Sequence, residues 1–153
     1  MFKVSDLVFD RYSKLGYEKL NEPEKVFHCV WGLEAEVNNG GFHQYYFNSA
    51  GDQALDTVKS LEAIEAKHTA LLVRQANALF GEAGPLSDRF ARQNQLFALG
   101  EAKTTKMNEI EKQFMKYDDK LGQLIRSVCG QKWRGFRAEV RPRATTQQIC
   151  HGA

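Results

Sequence analysis

Apolar residues recur along this chain at intervals of three and four with polar residues between them, the spacing that lays a buried stripe along an α-helix. Val26, Phe27, Val30, Trp31, Leu33 and Val37 form the widest stripe. It is opened by Asn21-Glu22-Pro23-Glu24, where a capping Asn stands three residues before a Glu and Pro falls in the first turn, where its missing N–H is no loss. A shorter helix precedes it, with Ser5 as its cap, Val8, Tyr12 and Leu15 inward and Gly16 as its stop. From Asp52 the pattern predicts a helix with Leu55, Val58, Leu61 and Ile64 inward and Asp56, Lys59, Glu62 and Glu65 outward. Residues 67–80 predict another, with Leu72, Ala76, Leu79 and Phe80 inward, and Pro85 opens a third that runs to about Leu99 with Leu86, Phe90 and Phe97 on its buried side. Met107, Ile110, Phe114, Tyr117, Leu121, Leu124 and Val128 then alternate three and four apart, a seam of about 22 residues and roughly 33 Å if it is one helix. We read it as a core helix pair, with Asp118-Asp119 able to start the second member. No stretch alternates as a strand does.

The chain is organised around Glu36 to Gly51. Asn38-Asn39-Gly40-Gly41 supplies residues that tolerate positive φ, which a chain needs to leave one helix and turn sharply. Phe42, Tyr45 and Tyr46 follow at i, i+3 and i+4 and share a face of the next helix, and Asn48 to Gly51 is its stop. Asn39, Gly40, Gly41, Phe42, Gln44, Tyr45 and Asn48 are therefore expected to form a structural hinge, with the choice between Gly40 and Gly41 for the positive φ left open.

These elements predict an all-α, single compact domain of about seven helices over residues 1–129, followed by a mobile basic tail over 130–153. A chain of about 150 residues buries roughly 70% of its unfolded surface, enough for a core without metal or disulfide help. With 42% apolar and 11% aromatic residues the chain falls in the soluble globular class. No apolar run approaches the roughly 20 residues of a membrane span, and the N-terminus, carrying Asp6, Asp10 and Arg11, lacks the core of a signal peptide. Three cysteines without C-x-x-C spacing, Cys29, Cys129 and Cys150, suit a reducing compartment, so the expected location is the cytoplasm. Charge is divided unevenly: residues 1–129 hold 16 Lys/Arg against 18 Asp/Glu, whereas 130–153 hold five against one. The net +2 of the whole chain is thus the work of the tail.

Candidate chemistry changes this picture little. His28 and Cys29 lie near Glu24 and Glu36 in sequence, but there is no second His four residues from the first, and Cys29 points about 100° away from His28 on a helix. Cys29 has no His placed beside it by spacing, which leaves an inert thiol. Glu34 and Glu36, two residues apart, fall on different helix faces and do not form an acid–base pair. The turn at 38–41 lacks the Gly-x-x-x-x-Gly-Lys spacing of a phosphate loop. No catalytic residue, cofactor or metal is expected. In the tail, Lys132, Trp133, Arg134, Phe136, Arg137, Arg141 and Arg143 interleave aromatics with cations, a composition suited to nucleic acid or an acidic protein surface.

Glu36, Asn39-Gly40-Gly41-Phe42, Gln44-Tyr45-Tyr46, Asn48 and Gly51, followed by Leu61-Glu62-Ala63-Ile64-Glu65-Ala66, resemble the bacterial DNA-mimic protein family. The resemblance spans about residues 20–128 and is strongest over 26–80. It implies a small all-helical cytoplasmic protein without active-site residues, acting by protein binding. The described example is an acidic dimer that occupies the DNA-binding surface of a transcription factor. The implied partner is therefore a DNA-binding regulator, and a homodimer is left open. For such a role the expected partner-binding residues are the carboxylates Glu34, Glu36, Asp52, Asp56, Glu62 and Glu65.

Because the tail has no periodic apolar face, deleting residues 130–153 is expected to leave the melting temperature nearly unchanged. If the tail binds duplex DNA through its five cations, affinity should fall with salt at a log–log slope of up to about −4, and the deletion should abolish it. A large drop in melting temperature, or a salt-dependent mobility shift that survives the deletion, would contradict this division of the chain.

Overall fold

A computed structural model of the chain describes residues 2–127. The expected tail, residues 130–153, lies outside the described residues. Among those described there are seven α-helices and no strand: α1 (Phe2–Leu15), α2 (Glu22–Phe47), α3 (Ala54–Ala63), α4 (Lys67–Ala78), α5 (Arg89–Phe97), α6 (Glu101–Phe114) and α7 (121–127). Short 3-10 turns at Tyr17–Lys19 and Ser49–Gln53 lead into α2 and α3. The central element is α2, which packs against α1, α3, α5 and α6.

Its start follows the local code. Asn21 Oδ1 accepts from the Glu24 N–H at 3.0 Å, and Glu24 Oε2 accepts from the Asn21 N–H at 2.9 Å. Glu24 is fully buried, and its second oxygen meets Arg11 Nε of α1 at 3.1 Å, so the capping box also fastens α1 to α2. Phe27, Val30, Leu33 and Val37 from the first part of α2 join Phe42, Tyr45 and Tyr46 from the last part in one core with Leu61, Ile64, Leu72, Val73 and Ile110. The two tyrosine hydroxyls are satisfied inside it: Tyr45 donates to Thr57 Oγ1 at 2.9 Å and Tyr46 to Asn77 Oδ1 at 2.7 Å.

The end of α2 depends on a distant residue. Arg92 of α5 is fully buried, and its guanidinium makes five hydrogen bonds. Nε donates to the Tyr46 carbonyl at 2.7 Å and Nη2 to the Asn48 carbonyl at 2.9 Å. Nη1 donates to the carbonyls of Leu86 at 2.7 Å and Ser87 at 3.0 Å, and Nη2 also meets Asp52 Oδ1 at 2.6 Å. Gln93 completes the set by donating to the Phe47 carbonyl at 2.9 Å. A helix leaves its last carbonyls without partners and carries partial negative charge there, so a buried cation with a carboxylate beside it suits this position. The approach is close. A Cβ on Gly51 would stand 2.7 Å from the Tyr45 carbonyl and 2.8 Å from Arg92 Nε, so a side chain there would push the arginine out of place.

This cation overturns the expected buried side of α5. Phe90 is 75% exposed, Phe97 66% and Leu86 43%, while Arg92 and Leu96 face inward. The helix also starts later than Pro85. Asp88 caps it, accepting from the Ala91 N–H at 2.8 Å, because the Leu86 and Ser87 carbonyls are turned toward Arg92 and cannot enter a helical ladder. Two smaller corrections follow. The first helix begins at Phe2, which puts Ser5 inside it and buried rather than at a cap. Leu15 and Leu55, expected inward, lie 53% and 51% exposed at positions where no neighbouring helix covers them. The long seam is a helix pair, as expected from the sequence: it breaks after Phe114, where Tyr117 adopts φ 53°, and its second arm buries Leu121 and Ile125 with Leu124 only half-covered. The break frees Asp119 to accept from the Thr69 N–H at 2.7 Å, capping the start of α4.

Arg92→Met is expected to destabilise the protein by about 3–5 kcal/mol, since it takes the donor from the Tyr46, Leu86 and Ser87 carbonyls and leaves Asp52 only the more distant Arg89. Asp52→Asn should be milder, because the carbonyls still hold the cation. Denaturant titration of both variants checks the order, and a parent-like midpoint for Arg92→Met would show that this cluster contributes nothing.

Candidate partner-binding surface

The hinge lies inside α2. Helical hydrogen bonding runs from Glu22 to Phe47, but Gly40 (φ −162°, ψ 26°) and Gly41 (φ 75°, ψ −174°) leave helical geometry and kink it. Gly41 is the residue with positive φ, in a region essentially restricted to glycine. At the kink the backbone N–H of Phe42 starts a new helical segment, and it donates to Glu111 Oε2 of α6 at 3.0 Å. An anion at a helix start is favoured by both the free N–H groups and the dipole. It also occupies the space a side chain would need, since a Cβ on Gly41 would stand 2.0 Å from Glu111 Oε2. Asn39 and Gly40 are exposed, whereas Phe42 and Tyr45 are fully buried.

The six carboxylates flagged by the sequence do not form one set. Glu36 spans the kink: its Oε2 accepts from Gln44 Nε2 at 2.7 Å and from Asn48 Nδ2 at 2.8 Å, joining the two halves of α2. Asp52 is the counter-ion of Arg92, with Arg89 at 4.0 Å on its other oxygen. Glu34 is half-buried beside Tyr117, and burial raises its carboxyl above the usual range against the hydrogen bond from that phenol. Asp56 pairs with Lys59 at 2.8 Å, and Glu62 pairs with Arg74 across from α3 to α4. Glu65 is exposed in the turn after α3, at φ 62°. Asp56, Glu62 and Glu65 thus share α3 and its C-terminal turn, while the other three are engaged in or beside the hinge and the arginine cluster.

His28 and Cys29 are buried for different reasons. His28, 8% exposed, sits among Phe9, Tyr12 and Tyr17, with the Tyr12 ring centroid 4.2 Å away. Burial lowers its pKa, outweighing the polar neighbour Gln53, and Nδ1 has no hydrogen-bond partner. Burial pushes the Cys29 thiol up, and its sulfur lies 3.3 Å from the Tyr17 hydroxyl. A protonated, buried thiol is a poor nucleophile. Glu24, the nearest carboxylate in the sequence reading, is turned to Arg11. Among the described residues no three His, Cys, Asp or Glu side chains gather as a metal site would need, and no helix is long and apolar enough to cross a membrane.

Sequence reasoning missed Arg92 and Glu111, the two charged residues that set the geometry of α2. Neither carries a local signal, because the groups they serve are 46 and 69 residues away. Of the aromatics after the turn, only Phe47 leaves ring surface outside, at 38% exposure, and it packs edge-on to Phe97 at 6.0 Å.

A family model described as DMP19-like protein matches residues 18–129. No curated protein and no solved structure matches the chain.

Gly41→Val is expected to lower the melting temperature more than neutralising an exposed carboxylate by Glu65→Gln. The backbone conformation alone costs a non-glycine residue about 1–3 kcal/mol, and displacing the Glu111 cap adds about 1 kcal/mol. Repeating Gly41→Val in a Glu111→Ala background separates the two contributions. A Gly41→Val protein that melts like the parent would contradict the hinge geometry.

Proposed function

This chain belongs to the DMP19-like protein family, and on that premise we propose that it is a non-enzymatic protein-interaction domain of the DNA-mimic type, working in the cytoplasm on a DNA-binding transcriptional regulator. The match over residues 18–129 is the observation that carries the reading. In this reading Asp56, Glu62 and Glu65 of α3 and its C-terminal turn make the contact. Asp52 and Glu36 serve the fold, and Glu34 is half-covered by its neighbour. The cations beside the α3 carboxylates, Lys59 and Arg74, are themselves 76% and 58% exposed. An exposed ion pair contributes about 0–1 kcal/mol, so the arginines of a partner exchange for them at little cost.

Charge density sets what kind of mimicry this is. Duplex DNA carries one charge per about 1.7 Å of axis, whereas residues 1–129 hold 18 Asp/Glu against 16 Lys/Arg. The body does not present the bulk field of a polyanion. Recognition then rests on a few positioned carboxylates, whose geometry a DNA-reading side chain meets as it would meet phosphate oxygens.

The test is capture of a regulator by the immobilised full-length chain, with its operator duplex as competitor. The operator is expected to release the regulator, and the triple variant Asp56→Asn, Glu62→Gln, Glu65→Gln to hold it about tenfold more weakly, an effect within the range of charge pairs at interfaces. Undiminished capture by the triple variant, or capture indifferent to operator DNA, would overturn the proposal.

A further inference from the structure

Where α1 crosses α2, the molecule keeps a cavity of about 270 Å³ that the proposed interaction does not use. Phe9 and Tyr12 of α1 and Trp31 of α2 wall it, and Glu36 and Ser49 stand at its polar side. Its small residues make the room: Gly32, Ala35 and Ala50 line it, and a Cβ on Gly32 would already touch the Cβ of Ala50 at 3.4 Å. Trp31 is stacked on Phe27 through one face, at 5.7 Å between centroids and 14° between planes, which leaves its other face unoccupied by that partner.

Among the described residues that line it, Glu36 alone carries a formal charge at neutral pH, and its hydrogen bonds from Gln44 and Asn48 both go to Oε2. The imidazole of His28, also in the wall and packed 4.2 Å from the Tyr12 ring, has its pKa lowered by burial. The guanidinium next along α1, that of Arg11, is held by Glu24. Aromatic faces carry negative potential and attract a cation within about 6 Å, and a carboxylate beside them strengthens the same field. A volume below the roughly 300–1,000 Å³ of drug-sized pockets suits a head group and excludes a bulky ligand.

We propose that this cavity binds a small organic cation, an alkylated ammonium group, held by the aromatic side chains of Phe9, Tyr12 and Trp31 and by Glu36. Two of the three aromatic walls come from α1, which lies before the residues matched by the family model, so the site belongs to this chain's own N-terminal helix packing on the family core. It is independent of the α3 carboxylates, and failure of either proposal leaves the other standing.

The probe is choline, titrated calorimetrically into the full chain beside its uncharged carbon isostere 3,3-dimethylbutan-1-ol. Choline is expected to bind at millimolar or lower concentration and the isostere to give no heat, since only the former has the charge. Tyr12→Ala and Trp31→Ala should each weaken binding about tenfold. Both side chains are half-exposed, so a circular dichroism melt verifies that each variant remains folded. In a ¹H–¹⁵N spectrum choline should shift the Trp31 indole signal and leave that of Trp133 in place, a readout that stands even if a variant fails to fold. A peptide carrying trimethyl-lysine distinguishes the sources: tighter binding than choline assigns the cation to a protein partner, and equal or weaker binding assigns it to a free metabolite. No binding of choline or peptide, equal binding of the isostere, or shifts away from Trp31 would overturn the proposal.

Discussion

A guanidinium removed from water has to find a counter-charge and a full set of acceptors, and the position of Arg92 is where this fold meets that demand. Its five donors reach the end of α2, the loop before α5 and the carboxylate of Asp52 at once. The rotation of α5 about its own axis follows from this. With Arg92 and Leu96 turned inward, Phe90 and Phe97 are carried to the outside, although an apolar-stripe argument would have buried both. Leaving a buried charge unpaired costs more than leaving two phenylalanines in water, so electrostatic satisfaction sets the helix orientation and hydrophobic burial takes what remains.

The same logic recurs at three other helix termini. Glu111 meets the N–H of Phe42 where α2 restarts after its kink, and Asp119 meets the N–H of Thr69 near the start of α4. Lys103 donates to the Leu79 carbonyl just past the end of α4, at 2.8 Å. Anions stand at helix starts and cations at helix ends, each supplied by a distant part of the chain and each matching the sign of the helix dipole. A near-neutral body is a natural result, because many of its charges are arranged against one another or against helix termini.

That arrangement also separates structural carboxylates from accessible ones. Glu36 and Asp52 are held by hydrogen bonds that tie the hinge and the arginine cluster, so a partner that recruited them would have to loosen α2. Asp56, Glu62 and Glu65 carry no such duty, and their cations lie at the surface. The aromatic cavity between α1 and α2 shares Glu36 with the hinge, which links occupancy of that cavity to the carboxylate that spans the kink.

What the sequence determined by itself was local. The Asn21–Glu24 cap, the helical stripes of α2, α3 and α4, the turn at 38–41 and the inward faces of Phe42, Tyr45 and Tyr46 act over one or two helical turns, where spacing and backbone preference decide. The all-α class follows from their sum. Tertiary structure decided the rest. The Gly-Gly pair marks a turn, but Gly41 and not Gly40 takes positive φ because Glu111 arrives to hold the Phe42 N–H, and nothing within a turn of Gly41 encodes that arrival. The acidic residues of α2, the 3-10 turn and α3 look alike in sequence. Which of them anchor and which stay accessible depends on where Arg92, Gln44, Asn48 and Arg74 come to rest. A carboxylate has no intrinsic direction, and its role is set by the nearest donor that the completed fold brings to it.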